Sequence, residues 1–401
     1  MSFIDLVLES TKEYEAPRRF YYWAALSSIS AVLKDSVWFD MAKAYKLYPN
    51  LYILLYGPSG VRKGPATALA EKIVKGINNT RIINGRSSIE AIIKELGTFT
   101  TEPGRGIVKD SCGFVVASEL SSSIISNPQA MDIMTNLYDR IYNESEWKYK
   151  LKVGESSTLN KPTITWFAGT NEALFKDFLP EKNIHGGLIG RMFMVSEFKP
   201  ARLNSLMFDP DKIPELSKMI DLLRPASKLT GEYQASKEVR VNIDMWYNDF
   251  MTNVSPQIGD QTGFVSRIND FIIKGAMIIS AGRRADMIIL QSDIDEAREV
   301  IIPLILPTRK ISTGLKKEAV NPVQQRALVL NYISNRPNFT CTRKEILKNL
   351  GLKVNHEELD NVVELMLQMG AIKLESKGPN VHYTLNMDNT KVTEWVQQYR
   401  S

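Results

Sequence analysis

Apolar and polar positions along this chain change their period several times. From residue 1 to 46 apolar residues recur at helical spacing, most clearly through Phe20-Tyr21-Tyr22-Trp23-Ala24-Ala25-Leu26 and at Ile29, Ala31, Val32 and Leu33, so this stretch reads as a helical segment. Between 47 and 205 short apolar runs at 51–56, 81–84, 113–118, 163–168 and 192–196 alternate with helical stretches. Runs of that kind are strands buried on both faces, which predicts an α/β layer around a parallel sheet. Ser87 or Ser88 stands where a helix running to Leu96 needs its N-cap, and residues 97–112, with Gly97, Pro103, Gly104 and Gly106, read as a loop. Helical periodicity returns over 206–306, notably at 264–281 and 292–305. Residues 307–322 are basic and lack an apolar period, the mark of a linker.

Residues 323–401 have a pattern of their own. Helices are expected at about 323–335, from the cap Thr342 to Leu350, and at 356–369. Two apolar strands, Ala371–Leu374 and Val381–Leu385, then flank a turn at Lys377-Gly378-Pro379-Asn380. Three helices closing on a β-hairpin describe a winged helix. Its third helix carries Glu357, Glu358, Asp360 and Glu364 and no Lys or Arg, so phosphate repulsion favours a packing or partner-binding role over reading a major groove.

One further segment alternates at period two. Trp147, Tyr149, Leu151 and Val153 fall on one face and Lys148, Lys150 and Lys152 on the other, followed by a return through Asn160-Lys161-Pro162. A hairpin over 145–161 with a lysine face suits contact with phosphates irrespective of base sequence, and equally suits an edge strand protected from aggregation by lysine.

Composition narrows the classes. Of 401 residues 44% are hydrophobic and 24% charged, ordinary values for a globular chain of two or three domains. No run approaches the roughly 18 apolar residues of a membrane span, and the N-terminus lacks the features of a secretory signal, so a cytoplasmic protein without membrane contact is expected. Two distant cysteines and three histidines argue against a disulfide framework or a zinc centre. A net charge of +5 is too mild to establish nucleic-acid binding.

The candidate chemistry begins where the run Leu51–Tyr56 enters Gly57-Pro58-Ser59-Gly60-Val61-Arg62-Lys63-Gly64. A strand, a Gly-rich turn with lysine and then a helix form a phosphate-binding loop, whose backbone N–H groups cradle phosphates while the lysine takes the β- and γ-phosphates. Arg62 stands where the second glycine is usual, and Gly64 where a hydroxyl normally reaches Mg²⁺. An ordinary strand-to-helix turn remains the alternative.

The strand Phe114–Ala117 ends in Ser118-Glu119, where an acidic pair holds Mg²⁺ through water and orients the attacking water in phosphate-loop ATPases. A helix-capping Ser-Glu is the other reading. The strand Thr163–Ala168 ends in Gly169-Thr170-Asn171, whose amide can reach a γ-phosphate or water between the two motifs, or can simply form a turn. Arg191 directly precedes an apolar strand, as a finger toward a neighbouring subunit's nucleotide or as a surface arginine.

The order of these motifs resembles that of the MCM-like AAA+ helicases, and more closely their phage and mobile-element replication-type relatives, over about residues 15–305. The resemblance extends to Tyr48-Pro49-Asn50-Leu51-Tyr52 before the loop and to Arg62 within it. It implies an AAA+-type P-loop core, a helical lid and a C-terminal winged helix, acting on ATP with Mg²⁺. Lys63 would bind phosphates, Glu119 activate water, Asn171 serve as first sensor and Arg191 as trans-acting finger. Phe264-Val265-Ser266-Arg267-Ile268 resembles the second-sensor segment, which adds Arg267. The 145–161 hairpin would enter the pore of a homo-oligomeric ring, a hexamer in the family, on single-stranded or forked DNA. Other replication proteins would dock on the winged helix. The expected function is an ATP-dependent helicase or translocase of replication or recombination. Gly64 and Ser118, which remove two metal-shell groups and leave Ser118 to act through water, favour instead a nucleotide-binding clamp, loader or scaffold. A signalling or defence ATPase is a third reading.

Overall fold

The computed structural model describes residues 1–84, 88–98, 100–102, 106–108, 111–120, 130–140, 146–149, 157–178, 187–203, 216–258, 260–309, 322–350, 356–377 and 380–394. The chain divides into two compact units, Met1–Leu315 and Lys316–Ser401.

The first unit is built on a five-stranded sheet. Its strands are β1 (Tyr52–Tyr56), β2 (Arg81–Asn84), β3 (Cys112–Ala117), β4 (Thr163–Thr170) and β5 (Met192–Ser196). All pair in parallel, in the order β5-β1-β4-β3-β2. Every residue of β1 and β4 is buried, which is why their sequences show no polar alternation. Register aligns the carboxyl ends: Tyr56 stands beside Thr170 and Ser196, and Ala117 beside Ala168.

Helices α1 (Phe3–Ser10), α2 (Arg18–Leu33), α3 (Lys63–Ile77), α4 (Ala130–Arg140), α5 (Ile268–Arg284) and α6 (Gln291–Ile301) share one hydrophobic core with that sheet. α2 is buried along nearly its whole length and carries Ser27, Ser28 and Ser30 inside it. Ser27 and Ser28 donate to Ala24 O, while Ser30 Oγ lies 2.6 Å from both Pro49 O and Thr165 Oγ1. Buried hydroxyls are tolerated when paired, and here the pairing ties α2 to β4 and to the entry of β1.

The first 46 residues are not helical throughout. Val37–Met41 and Tyr45–Leu47 form an antiparallel hairpin, and Val37 and Trp38 add a parallel bridge to Gly231 and Glu232. The aromatic and β-branched Val37-Trp38-Phe39 prefers a pleated surface, and tertiary pairing decides the outcome. Within 97–112, Thr100–Glu102 and Gly106–Val108 also pair as short strands.

The second unit has helices Pro322–Ser334, Arg343–Leu350 and His356–Gln368 against an antiparallel three-stranded sheet. In that sheet Asn380–Leu385 lies between Thr340–Thr342 and Ile372–Lys377. Thr342 and Glu345 form a reciprocal capping pair at the start of Arg343–Leu350. Cys341 and Ile346 join Val329, Leu359, Met366 and Tyr383 in a separate core. Among the described residues no helix is long and apolar enough to cross a membrane.

Ser30→Ala removes the donor to Pro49 O and the partner of Thr165, leaving buried polar atoms unpaired. It should lower stability by about 1–3 kcal/mol, read as a lower urea midpoint at unchanged slope.

Candidate nucleotide site at the carboxyl edge of the sheet

β1 releases the chain at Gly57, whose N–H donates to Thr170 O at 3.3 Å while Glu197 N–H donates to Tyr56 O at 3.0 Å. A Cβ at position 57 would lie 2.2 Å from Glu197 O, so the backbones approach as only glycine allows. The turn then exposes Pro58, Ser59 and Gly60, buries Val61 and enters α3 at Lys63. α3 starts without a capping side chain, which leaves backbone N–H groups of its first turn without a side-chain partner from the cap, the arrangement that favours anions.

Arg62 has φ +65°, so the position normally held by glycine does adopt the left-handed conformation. Its Nε donates to Glu15 Oε2 at 2.6 Å, a half-exposed pair that anchors the strained residue to the N-terminal segment. Lys63 Nζ turns back across the loop and donates to Gly57 O at 2.7 Å and Pro58 O at 2.9 Å. Burial lowers the Lys63 pKa and the nearby Glu119 carboxylate opposes that fall, which puts the two charges within reach of each other.

Ser118 and Glu119 emerge into solvent where β3 ends. Leu120 N–H donates to Gly169 O at 2.6 Å, and a Cβ on Gly169 would sit 2.3 Å from Ser118 O and 3.4 Å from Lys63 Cβ. A Cβ at position 64 would be 4.0 Å from Ser118 Cβ. Lys63, Gly64, Ser118 and Glu119 therefore share one rim. Because β4 lies between β1 and β3, Asn171 leaves the sheet between the loop and Glu119. Its Oδ1 accepts from Leu174 N–H at 3.0 Å, capping Glu172–Phe178, which turns the amide so that Nδ2 is the group left to donate.

Arg191 and Arg267 are elsewhere. Met192 pairs with Tyr52, so Arg191 stands at the amino edge of the sheet, on the order of 20 Å of extended chain from Gly57. Arg191 forks Asp139 of α4 (Nε–Oδ1 2.9 Å, Nη2–Oδ2 2.5 Å) and its side chain is 11% exposed. Arg267 lies in the same cluster. Burial lowers its pKa, Arg191 adds to the fall, and Asp139 opposes it.

The two arginines sit on matching turns, Gly187-Leu188-Ile189-Gly190-Arg191 and Gly263-Phe264-Val265-Ser266-Arg267. In each the glycine has φ near +80° and the arginine Nη1 donates back to that glycine's carbonyl at 2.7 Å. The turns touch: a Cβ on Gly190 would meet Thr262 O at 2.2 Å.

Sequence reasoning passed over the flank of the loop. A cavity of about 570 Å³ is lined by Arg19, Tyr22 and Trp23 of α2, by Glu197 and Ala201 after β5, and by Glu299 beyond. Glu197 joins it to Gly57, and Ala201 N–H donates to Glu15 O, joining it to Arg62. Burial lowers the Arg19 pKa and Glu197 opposes that. One signal was legible: Arg18 and Arg19 occupy the first turn of α2, against the helix dipole and without a capping side chain. The rest comes from segments nearly 300 residues apart.

Of the lysine hairpin, Glu146–Tyr149 pairs with Ser157–Asn160, Trp147 packs on the core and Lys148 is exposed; Lys150 and Lys152 lie outside the described residues. Among the described residues no group of three or more His, Cys, Asp or Glu side chains is placed to hold a metal ion. Compared with protein-family models and with curated proteins, the chain matches none.

Left-handed strain at position 62 predicts that Arg62→Gly is more stable than Arg62→Ala by about 1 kcal/mol in chemical denaturation, both having lost the Glu15 pair.

Proposed function

We propose that the chain is an AAA+-type ATPase that works as a ring of identical copies on DNA, a helicase or translocase of replication or recombination. What supports nucleotide binding is the meeting of Lys63, Glu119 and Asn171 on one rim with the tight Gly57 turn. In this reading Gly57–Gly64 cradles the phosphates of ATP, with Lys63 exchanging its two loop carbonyls for phosphate oxygens. The cavity beside Arg19 and Tyr22 takes the base. Glu119 accepts the proton of the attacking water, and Asn171 orients that water by its Nδ2.

Arg191 and Arg267 face away from their own rim, so they serve a neighbouring copy's nucleotide. That requirement is what supports a ring, since charge developing on the transferred phosphoryl group calls for a further cation beside Lys63. Bound Mg²⁺ would neutralise phosphate charge. Gly64 offers it no side-chain oxygen, and the Thr67 hydroxyl is buried and donates to Gly64 O, so Ser118 would hold it, through water.

The lysine hairpin, Lys148 with Lys150 and Lys152, is read as the DNA contact. The second unit's three helices and antiparallel sheet are read as a winged helix that binds protein partners through its acidic third helix, where Asp360 already pairs with Arg343. The same thin metal shell at Gly64 and Ser118 favours a second reading, a clamp or loader that holds ATP and DNA and turns over slowly.

Steady-state ATP hydrolysis with and without single-stranded DNA decides between them. DNA-stimulated turnover that falls about 100-fold or more in Glu119→Gln is expected of the motor. Tight ATP binding with no turnover selects the clamp, and absence of ATP binding sinks both.

Gly64→Ser places a hydroxyl in open space facing Ser118. It should tighten Mn²⁺ binding in the ATP complex, followed by electron paramagnetic resonance, and raise turnover severalfold. Unchanged metal affinity would remove Ser118's surroundings as the metal position.

A further inference from the structure

The cavity beside the phosphate loop is lined by charged side chains that leave one another unbonded. Arg18, Arg19, Glu197, Lys199 and Glu299 all border it, and among the described residues none of them makes a side-chain hydrogen bond or ion pair. Exposure separates them. Arg18, Lys199 and Glu299 are exposed, whereas Arg19 and Glu197 are half-buried. Arg19 carries five N–H donors and Glu197 two acceptor oxygens. Burial lowers the Arg19 pKa, and Glu197 opposes that through charge alone. Arg19 also stands in the first turn of α2, where a cation works against the helix dipole. A donor twice disfavoured and left unbonded is the pattern of a position kept for a ligand.

The remaining walls suit a flat ring with polar edges. Tyr22 lies one turn after Arg19 on α2, and its Oη donates to Glu296 Oε1 at 2.7 Å. Arg283 forks the same carboxylate (Nε–Oε2 2.9 Å, Nη2–Oε1 2.6 Å). The phenol is thus committed, and what Tyr22 has left to offer is its ring. Trp23 is packed on Phe193 of β5, with 5.3 Å between ring centroids. The volume of about 570 Å³ is that of a small-molecule site, roughly 300–1,000 Å³. Glu197 ties this cavity to the phosphate loop, because its N–H donates to Tyr56 O at 3.0 Å and its carbonyl abuts Gly57.

We propose that Arg19 and Glu197 are the specificity-determining pair of the nucleotide site and select adenine, Arg19 donating to N7 and Glu197 accepting from the N6 amine. Adenine shows an acceptor and a donor side by side on that edge, which a guanidinium and a carboxylate complement. Guanine shows two acceptors there, N7 and O6, and its O6 would be set against the Glu197 carboxylate with no proton between them. The inference rests on the reading of Gly57–Gly64 as a phosphate loop and adds to it the residues that read the base.

Isothermal titration calorimetry on the full chain tests this with ATP, GTP and 7-deaza-ATP, in which carbon replaces N7. The wild type should bind ATP about tenfold or more tighter than either of the others, the worth of one hydrogen bond to a charged group. Arg19→Met should weaken ATP binding about tenfold and leave 7-deaza-ATP binding unchanged. Glu197→Gln, which brings an amide donor able to face O6, should narrow the gap between ATP and GTP. Equal wild-type affinity for ATP and 7-deaza-ATP overturns the proposal without any variant, and so does GTP binding as tightly as ATP. An Arg19→Met loss that is the same for ATP and 7-deaza-ATP also overturns it, being the mark of a merely structural role. In each of those outcomes bound ATP leaves the phosphate-loop reading standing. A chain that binds none of the three nucleotides ends both.

Discussion

The rim of the sheet depends on the absence of two side chains. At Gly57 and Gly169 the backbones of neighbouring strands come so close that a Cβ would lie 2.2 Å from Glu197 O and 2.3 Å from Ser118 O. Those approaches let the loop after β1, the end of β3 and the end of β4 stack as one layer. Lys63, Ser118, Glu119 and Asn171 are brought together by that layering. Any larger residue at either glycine would part the strands by about the width of a methyl group, and the side chains gathered on that rim would move apart with them.

A second consequence is a division of charge between the two edges of the same sheet. The carboxyl edge holds the buried Lys63 beside Glu119. The amino edge holds Arg191 and Arg267, each on a Gly-x-x-x-Arg turn and each bonded to its own turn's glycine carbonyl. Parallel strands enforce the separation, because a group that precedes a strand and a group that follows its neighbour must lie a full strand length apart. On the proposed reading the two edges meet only between copies, so assembly and chemistry become one requirement.

The protein also places several unfavourable local choices close to these edges. Arg62 is held at φ +65°, two arginines open α2 against its dipole, and Lys274 is buried completely. Each is compensated by specific partners, Glu15 for Arg62, Glu197 for Arg19, and Asn50 with Tyr138 for Lys274. Apart from Lys274, α2, α5 and the sheet pack in the core as their apolar pattern dictates.

The sequence by itself determined the five strands of the sheet to within a residue or two, because uninterrupted apolar runs bounded by turn residues have few other solutions. It placed a glycine- and lysine-bearing turn between a buried strand and a helix as well, since glycine and lysine spacing reflects backbone geometry within eight residues. It did not carry the hairpin at Val37–Leu47, whose strands are settled by pairing with each other and with Gly231. Nor could it carry strand order, and with it the place of Asn171 between the loop and Glu119, or the meeting of Arg191 with Arg267. The flanking cavity and the Lys274 network likewise join residues hundreds of positions apart. Local pattern is written by interactions within one turn or one strand. Which distant groups share a rim is decided only when the sheet closes its register and excludes water from what lies between.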